Sequence, residues 1–139
     1  MSFLLDTCVL SELVKVKPNA GLISWFEEQT AQQLFISSLT IGELSKGIAK
    51  LEQGKRKTHL EYWLNTQVIE SFSGRILSLD TEIAFNWGVL QAETEASGKP
   101  VPAIDSLIAA TAKKHQLILV TRNTKDMENC AIKLLNPWS

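Results

Sequence analysis

The sequence predicts an α/β fold of three layers, α/β/α, on a mostly parallel central sheet of about five strands. Three observations point there. Short apolar runs such as Phe3-Leu4-Leu5, Leu34-Phe35-Ile36 and Leu117-Ile118-Leu119-Val120 are continuous rather than alternating, as in strands buried on both faces. Helical segments separate these runs throughout, so the strands are joined by crossovers and run parallel. At 139 residues, with 45% hydrophobic and 21% charged, the chain is sized for one core, and residues 1–139 read as a single domain.

In chain order, Phe3-Leu4-Leu5 is the first strand, and a helix is expected from Thr7 to Val16, ending before Pro18 because proline disfavours helical geometry in the residue ahead of it. A short helix over Ala20 to Gln29 carries Leu22, Ile23, Trp25 and Phe26 on its apolar side. Leu34-Phe35-Ile36 forms the second strand, ended by Ser37-Ser38. Ile41, Leu44, Ile48 and Leu51 recur at spacings of three and four, which predicts an amphipathic helix from Thr40 to Gln53 closed by Gly54. Thr58 to Phe72, with Leu60, Trp63, Leu64, Val68 and Ile69, makes the other arm of a long helical hairpin. Gly74 marks a turn, Ile76 to Leu79 a third strand, and Asp80 or Thr81 caps a helix to Ala96. After the loop Ser97-Gly98-Lys99-Pro100 comes a helix from Ala103 to His115 with Pro102 at its first turn. Leu117 to Val120 and Ile132 to Leu135 complete the strands.

Composition excludes several classes. No apolar run approaches the roughly 20 residues that span a bilayer, and the basic start and long apolar stretch of a signal peptide are absent, so no membrane is expected and the cytoplasm is the expected location. Cys8 and Cys130 are too few and too separated for a disulfide framework, and two histidines supply a zinc site poorly. Any metal is therefore expected to be hard and oxygen-bound. A net charge of −1 argues against a generally basic nucleic-acid binder. A local basic patch remains open, since Lys46, Lys50, Lys55, Arg56 and Lys57 face one acid, Glu52; the same run also reads as a solvated helix face. Nucleotide-binding signatures G-x-x-x-x-G-K-[ST] and G-x-G-x-x-G do not occur. A receiver-type signalling module would carry adjacent acids after its first strand, whereas Asp6 stands alone.

Asp6 falls at the carboxyl end of the first strand, where open α/β sheets place their ligands, and it suits a helix cap equally. Glu43, Asp105 and the pair Asn123/Asp126 likewise follow apolar segments near helix starts. Each has a local explanation. Thr40-Ile41-Gly42-Glu43 fits a capping box, the favoured reading on spacing alone, and an acid in the first turns of a helix such as Asp105 gains about 0.3–1 kcal/mol from the helix dipole. The local explanations leave the recurrence of oxygen donors unexplained.

Four stretches, LLDTCVLSEL, SSLTIGELSKGI, PAIDSLIAATAKKH and LVTRNTKDM, taken in this order, resemble the successive motifs of the PIN-domain nucleases, and the closing LLNPWS resembles the tail of their FitB-like and VapC-like members. The resemblance implies a metal-dependent endoribonuclease, the toxin of a VapBC-type toxin–antitoxin pair, that hydrolyses RNA with metal-activated water and leaves a 5′-phosphate and a 3′-hydroxyl. It implies that Asp6, Glu43 and Asp105 are catalytic ligands of Mg2+ or Mn2+. Asn123 stands where many members have aspartate, so Asp126, directly or through water, is expected as the fourth ligand with Asn123 auxiliary; Cys8, where asparagine is common, is expected to pack behind Asp6. Thr7, Ser106 and Arg122 are further candidates beside the ligands. The implied partners are RNA, a VapB-like antitoxin that inserts a peptide near the acids, and a second copy of the chain. The Thr40–Phe72 hairpin could serve either protein partner or be buried in the chain's own core. Physically, a divalent ion supplies what phosphodiester hydrolysis needs, a nucleophile from water and neutralised charge on phosphate and leaving oxygen. The rival reading is a PIN-fold protein that binds RNA or a partner without cutting, favoured by Asn123 and opposed by the three acids.

Overall fold

The computed structural model describes residues 1–139. Five parallel strands form one sheet in the order β3-β2-β1-β4-β5, with β1 at Phe3–Leu5, β2 at Leu34–Ser37, β3 at Ile76–Leu77, β4 at Ile118–Val120 and β5 at Leu134–Leu135. The α/β fold and its parallel sheet are thus as the sequence predicts. From β1 the chain winds outward through β2 and β3, then crosses to β4 on the other side of β1. The carboxyl ends of β1 and β4 therefore flank a topological switch point, where flanking loops diverge and leave a crevice.

Side-chain alternation along each strand sorts the core into two layers. Phe3, Leu5 and Val120 face one side, packing with Val9 and Leu10 of α1 (Thr7–Leu13), Leu22 of α2 (Ala20–Glu28), and Leu44 and Ile48 of α3 (Ser38–Ala49). Phe3 meets Trp25 edge to face, with ring centroids 5.1 Å apart. The helix α4 (Lys55–Tyr62) continues through a π-helical stretch, Trp63–Val68, into α5 (Ile69–Ser71), burying Leu64, Val68 and then Phe72 on the same side. Leu4 and Leu119 point to the opposite layer, against Leu90 of α6 (Thr81–Ala96) and Ile108, Ala109 and Ala112 of α7 (Ala103–His115). The short α8 (Thr124–Met127) adds Met127. No helix is long and apolar enough to cross a membrane.

Several boundaries differ from the sequence reading. The first helix ends at Leu13 rather than Val16, and Val14 N–H closes on Leu10. The third begins at Ser38, where the Ser37 hydroxyl accepts from Leu39 N–H at 3.0 Å, and stops at Ala49 rather than Gln53. Lys57 Nζ caps its far end through the carbonyls of Ala49 and Leu51, each at 3.3 Å, and Gly54 precedes α4 instead of closing α3. In the following arm, Leu60, Leu64, Val68 and Phe72 recur at a strict spacing of four, which drifts by about 40° per step around an ideal α-helix. The wider π turn takes that drift back and keeps the stripe on the core. The edge strands β3 and β5 are shorter than expected, and Pro102 occupies the cap of α7 rather than its first turn. Asp80, not Thr81, caps α6, its Oδ1 accepting from Ile83 N–H at 2.8 Å.

Candidate active site

β1 delivers Asp6 to the carboxyl edge of the sheet. Its backbone N–H extends the ladder to Val120 O at 2.9 Å, and its carboxylate is buried, with 3% exposed. Oδ1 accepts from Thr7 N–H at 2.8 Å, so the residue does cap α1. Oδ2 does something no cap requires: it accepts the Thr121 hydroxyl at 2.8 Å, from the residue just past β4. Because Leu5 pairs with Val120, the next residues on the two strands meet at the switch point. Burial drives the Asp6 carboxyl above its usual range, against the lowering effect of its bonds to Thr121, Thr7 and Cys8.

Glu43 does not form the capping box that its spacing suggested. Thr40 lies within α3, fully buried, because Ser37 starts that helix, and Glu43 Oε1 accepts the Thr7 hydroxyl at 2.5 Å instead of reaching back to Thr40 N–H. Thr7 also lies 3.3 Å from the Thr40 hydroxyl, tying the start of α1 to α3. Glu43 is thereby presented toward Asp6 across the cleft.

Asp105 projects from the first turn of α7, half-buried, and burial pushes its carboxyl up to about 6, helped by the negative charges of Asp6, Glu43 and Asp126 in that order. Asp105 thus lies within Coulombic reach of three acids drawn from three other segments. Asp126 lies in α8, exposed and outside the cleft lining, while Asn123 stands at the start of that helix, its backbone carbonyl accepting Asp126 N–H at 3.2 Å, and lines the cleft itself. Arg122 also lines it, and its backbone N–H rests on Cys8 Sγ at 3.5 Å. Cys8 packs beside Asp6, its Sγ 3.8 Å from Oδ2 and 3.7 Å from the Thr121 hydroxyl. Ser106 is spent elsewhere: fully buried, it accepts Trp87 Nε1–H at 2.8 Å and donates within the first turn of α7.

The resulting cleft encloses about 360 Å³ and is walled by Asp6, Thr7, Glu43, Asp105, Arg122 and Asn123 together with Glu12, Lys15 and Trp138. The last three, and Thr121, are not legible as site residues in the sequence. Thr121 could be found only by pairing β1 with β4 in register. Glu12 gave one signal, an acid on the inward face of α1. It is buried at 8% exposure, and accepts Lys15 Nζ at 2.9 Å and Asn19 N–H at 3.0 Å, with Lys15 chiefly holding its carboxyl below the usual range.

The donor set suits a hard divalent cation. Asp6, Glu43, Asp105, Asp126 and the amide of Asn123 all offer oxygen, and neither histidine lines the cleft. The acids are not drawn into a ready ligating shell: no group of three carboxylates, imidazoles or thiols stands close enough to hold an ion as it is. The hydrogen bonds from Thr7 and Thr121 hold Glu43 and Asp6 in place, and the raised Asp105 carboxyl registers burial first and then the negative charges of Asp6, Glu43 and Asp126. A cation between them would offset those charges.

The PIN domain family model matches residues 3–133. A protein named VapC ribonuclease Y4jK, from Sinorhizobium fredii, is 35% identical over 134 residues, 96% of each chain. Toxin FitB of Neisseria gonorrhoeae is 35% identical over 135 residues, 97% of each chain. The crystal structure of FitAcB from Neisseria gonorrhoeae superposes with a TM-score of 0.92 at 34% identity, covering 98% of both chains. The sheet order, the acids at its carboxyl edge and these end-to-end alignments agree, and the chain belongs to the PIN domain family.

Proposed function

We propose that this protein is a metal-dependent endoribonuclease and the toxin of a VapBC-type toxin–antitoxin pair. The observation that carries the reading is the meeting of Asp6, Glu43 and Asp105 around one cleft at the switch point, with a carboxyl driven up by burial and by its neighbours' charge. The similarity to a VapC ribonuclease and to toxin FitB over nearly the whole chain supports the substrate class and the toxin role.

In this reading Asp6, Glu43 and Asp105 hold Mg2+ or Mn2+, with Asp126 as the fourth carboxylate and Asn123 auxiliary. The cation, when bound, would lower the pKa of a water and neutralise charge on the scissile phosphate and the leaving 3′-oxygen. The chain's own residues do the positioning. Thr121 and Thr7 fix the two oxygens of Asp6, and these hydrogen bonds to the charged form partly offset the burial that raises its carboxyl. The Thr7 hydroxyl fixes the orientation of Glu43. Arg122, exposed on the cleft wall, is placed to meet a phosphate oxygen.

The antitoxin has a natural seat. An apolar groove of about 520 Å³ runs from Glu43 between the end of α1 and the α3–α4 hairpin, lined by Val14, Leu44, Ile48, Leu51, Leu60 and Trp63. Val16, 98% exposed, stands at its border. A helix presenting apolar residues at helical spacing fits such a groove and would reach the acids at its end.

The test is incubation of a mixed cellular RNA pool with purified protein and Mg2+ or Mn2+, beside chelator and an Asp6→Asn/Asp105→Asn control. Discrete cuts that need both cation and acids are expected. Folded protein that leaves the pool intact with every cation supports instead a PIN-fold binding role.

A further inference from the structure

A second groove leaves Glu43 on the other side of α3. It encloses about 480 Å³ and follows one stripe of the helix, Ser38, Gly42, Lys46 and Lys50, at a spacing of four, with Ile104 of α7 opposite. Of the candidate ligands, Glu43 lines both this groove and the cleft.

Two features of this groove suit a ligand. First, its lysines are uncommitted. Some cations are tied down, Lys15 to Glu12, Lys114 to Asp80 and Glu82, Lys57 to the end of α3, and Arg75 to the carbonyls of Ala31, Leu34 and Ser71, while others are free; what sets this pair apart is that its two free lysines line one groove that starts at Glu43. Lys46 and Lys50 are exposed and have no ion-pair or hydrogen-bond partner. The helix dipole favours a cation near this end, but does not require two aimed along one groove. Second, glycine occupies Gly42, which lines this groove, and Gly47, which lines both this groove and the apolar one, inside a helix that glycine weakens relative to alanine. Neither has a positive φ, and a Cβ built on either meets no atom within 4 Å. The chain itself gains nothing in packing from their lack of a side chain. A ligand backbone that approaches the helix closely does.

We propose that this groove is the track for the substrate's sugar–phosphate backbone on one side of the scissile bond. Gly42 and Gly47 keep its floor low, while Lys46 and Lys50 meet successive phosphates of a single-stranded segment. The track rests on the ribonuclease reading and adds a division of labour to it. Glu43 stands at the mouth of both grooves, with nucleic acid on the lysine-bearing side of α3 and the protein partner on the apolar side. On a chain of net charge −1, a local track of this kind supplies the phosphate neutralisation that the overall charge does not.

The test compares cleavage by wild type, Lys46→Ala/Lys50→Ala and Lys113→Ala/Lys133→Ala. The control pair lies outside both grooves, Lys113 in the last turn of α7 and Lys133 just before β5, and removes the same charge. The probe is a labelled oligoribonucleotide copied around a cut mapped in the cellular pool. The track predicts that the Lys46/Lys50 pair raises KM at least tenfold with kcat little changed, and flattens the slope of log(kcat/KM) against log[salt] by about 1.4, since two phosphates are no longer neutralised. Lys46→Arg/Lys50→Arg restores both, and Gly42→Gln raises Tm yet raises KM. Wild-type cleavage with the pair indistinguishable from its control overturns the track and leaves the ribonuclease reading standing. Loss of affinity for a protein partner with unchanged RNA kinetics also overturns it, assigning the groove to that partner. Absence of wild-type cleavage overturns the reading and the track together.

Discussion

At the scale of single residues, Asp6 and Asp105 are held in surroundings that disfavour their charge. Asp105 is the clearest case. Its pKa in the folded protein, about 6, lies above the ordinary aspartate value of 3.8, so folding favours its protonated form. That contribution is complete below about 4 and is lost as pH rises through about 6. Asp6, also raised, acts in the same direction. In chelator, Asp105→Asn should therefore melt higher than wild type at pH 7, with the difference shrinking toward pH 4, while abolishing cleavage. Equal melting temperatures across that range would show that Asp105 is not strained by its neighbours. Thr121 has the complementary role of making the Asp6 charge tolerable. Thr121→Val keeps the shape but leaves a buried carboxylate oxygen and Asn123 N–H short of a partner, a cost of about 1–3 kcal/mol in chemical denaturation. It should also weaken cation affinity by roughly 10–100-fold, as measured by calorimetry.

At the scale of elements, what the sequence made legible was what periodicity and local chemistry control. Helices over residues 20–28, 81–96 and 103–115 lie within a residue of their predicted bounds, since their caps and apolar spacing are local. The Thr40–Glu43 reading failed because Ser37 competes for the cap and wins, and the π turn was invisible because spacing alone does not set the pitch. Asp6, Glu43 and Asp105 were identifiable as candidates, whereas Thr121 depended on strand register. Trp138 and the chain's last residues depended on tertiary contact. Ser139 N–H donates to Asn19 Oδ1 at 3.0 Å and its hydroxyl accepts from Gly21 N–H at 3.2 Å, drawing Trp138 into the cleft wall. Gly21 permits this approach: a Cβ there would lie 2.7 Å from Ser139 and 2.8 Å from Pro137 O. Gly21→Ala should displace the tail, shift tryptophan emission toward the red and lower cleavage severalfold without unfolding α2, because alanine itself favours helix. Unchanged emission and activity would mean that the tail plays no part in the site.

At the scale of the whole molecule, the sheet order explains why residues far apart in sequence act together. The switch at β1 and β4 opens the crevice, β1 and β4 carry Asp6 and Thr121 to its rim, and α3, α7 and α8 bring Glu43, Asp105 and Asp126 from different segments. Two grooves diverge from Glu43, one half apolar with Lys15 and Arg56 in its wall and one bearing Lys46 and Lys50, and in the proposed reading a substrate and a protein partner meet at the acids while held by different surfaces. If the acids form one cation site and that site cuts RNA, occupancy and turnover must be inseparable. A Mn2+ titration of wild type, Asp6→Asn and Asp105→Asn, with binding by calorimetry and RNA cleavage followed on the same preparations, examines both at once. Binding and cleavage should rise together in wild type and both be lost in the variants. Cleavage that persists in chelator, or in either variant at the wild-type rate, would rule out a cation held by these acids as the cutting centre.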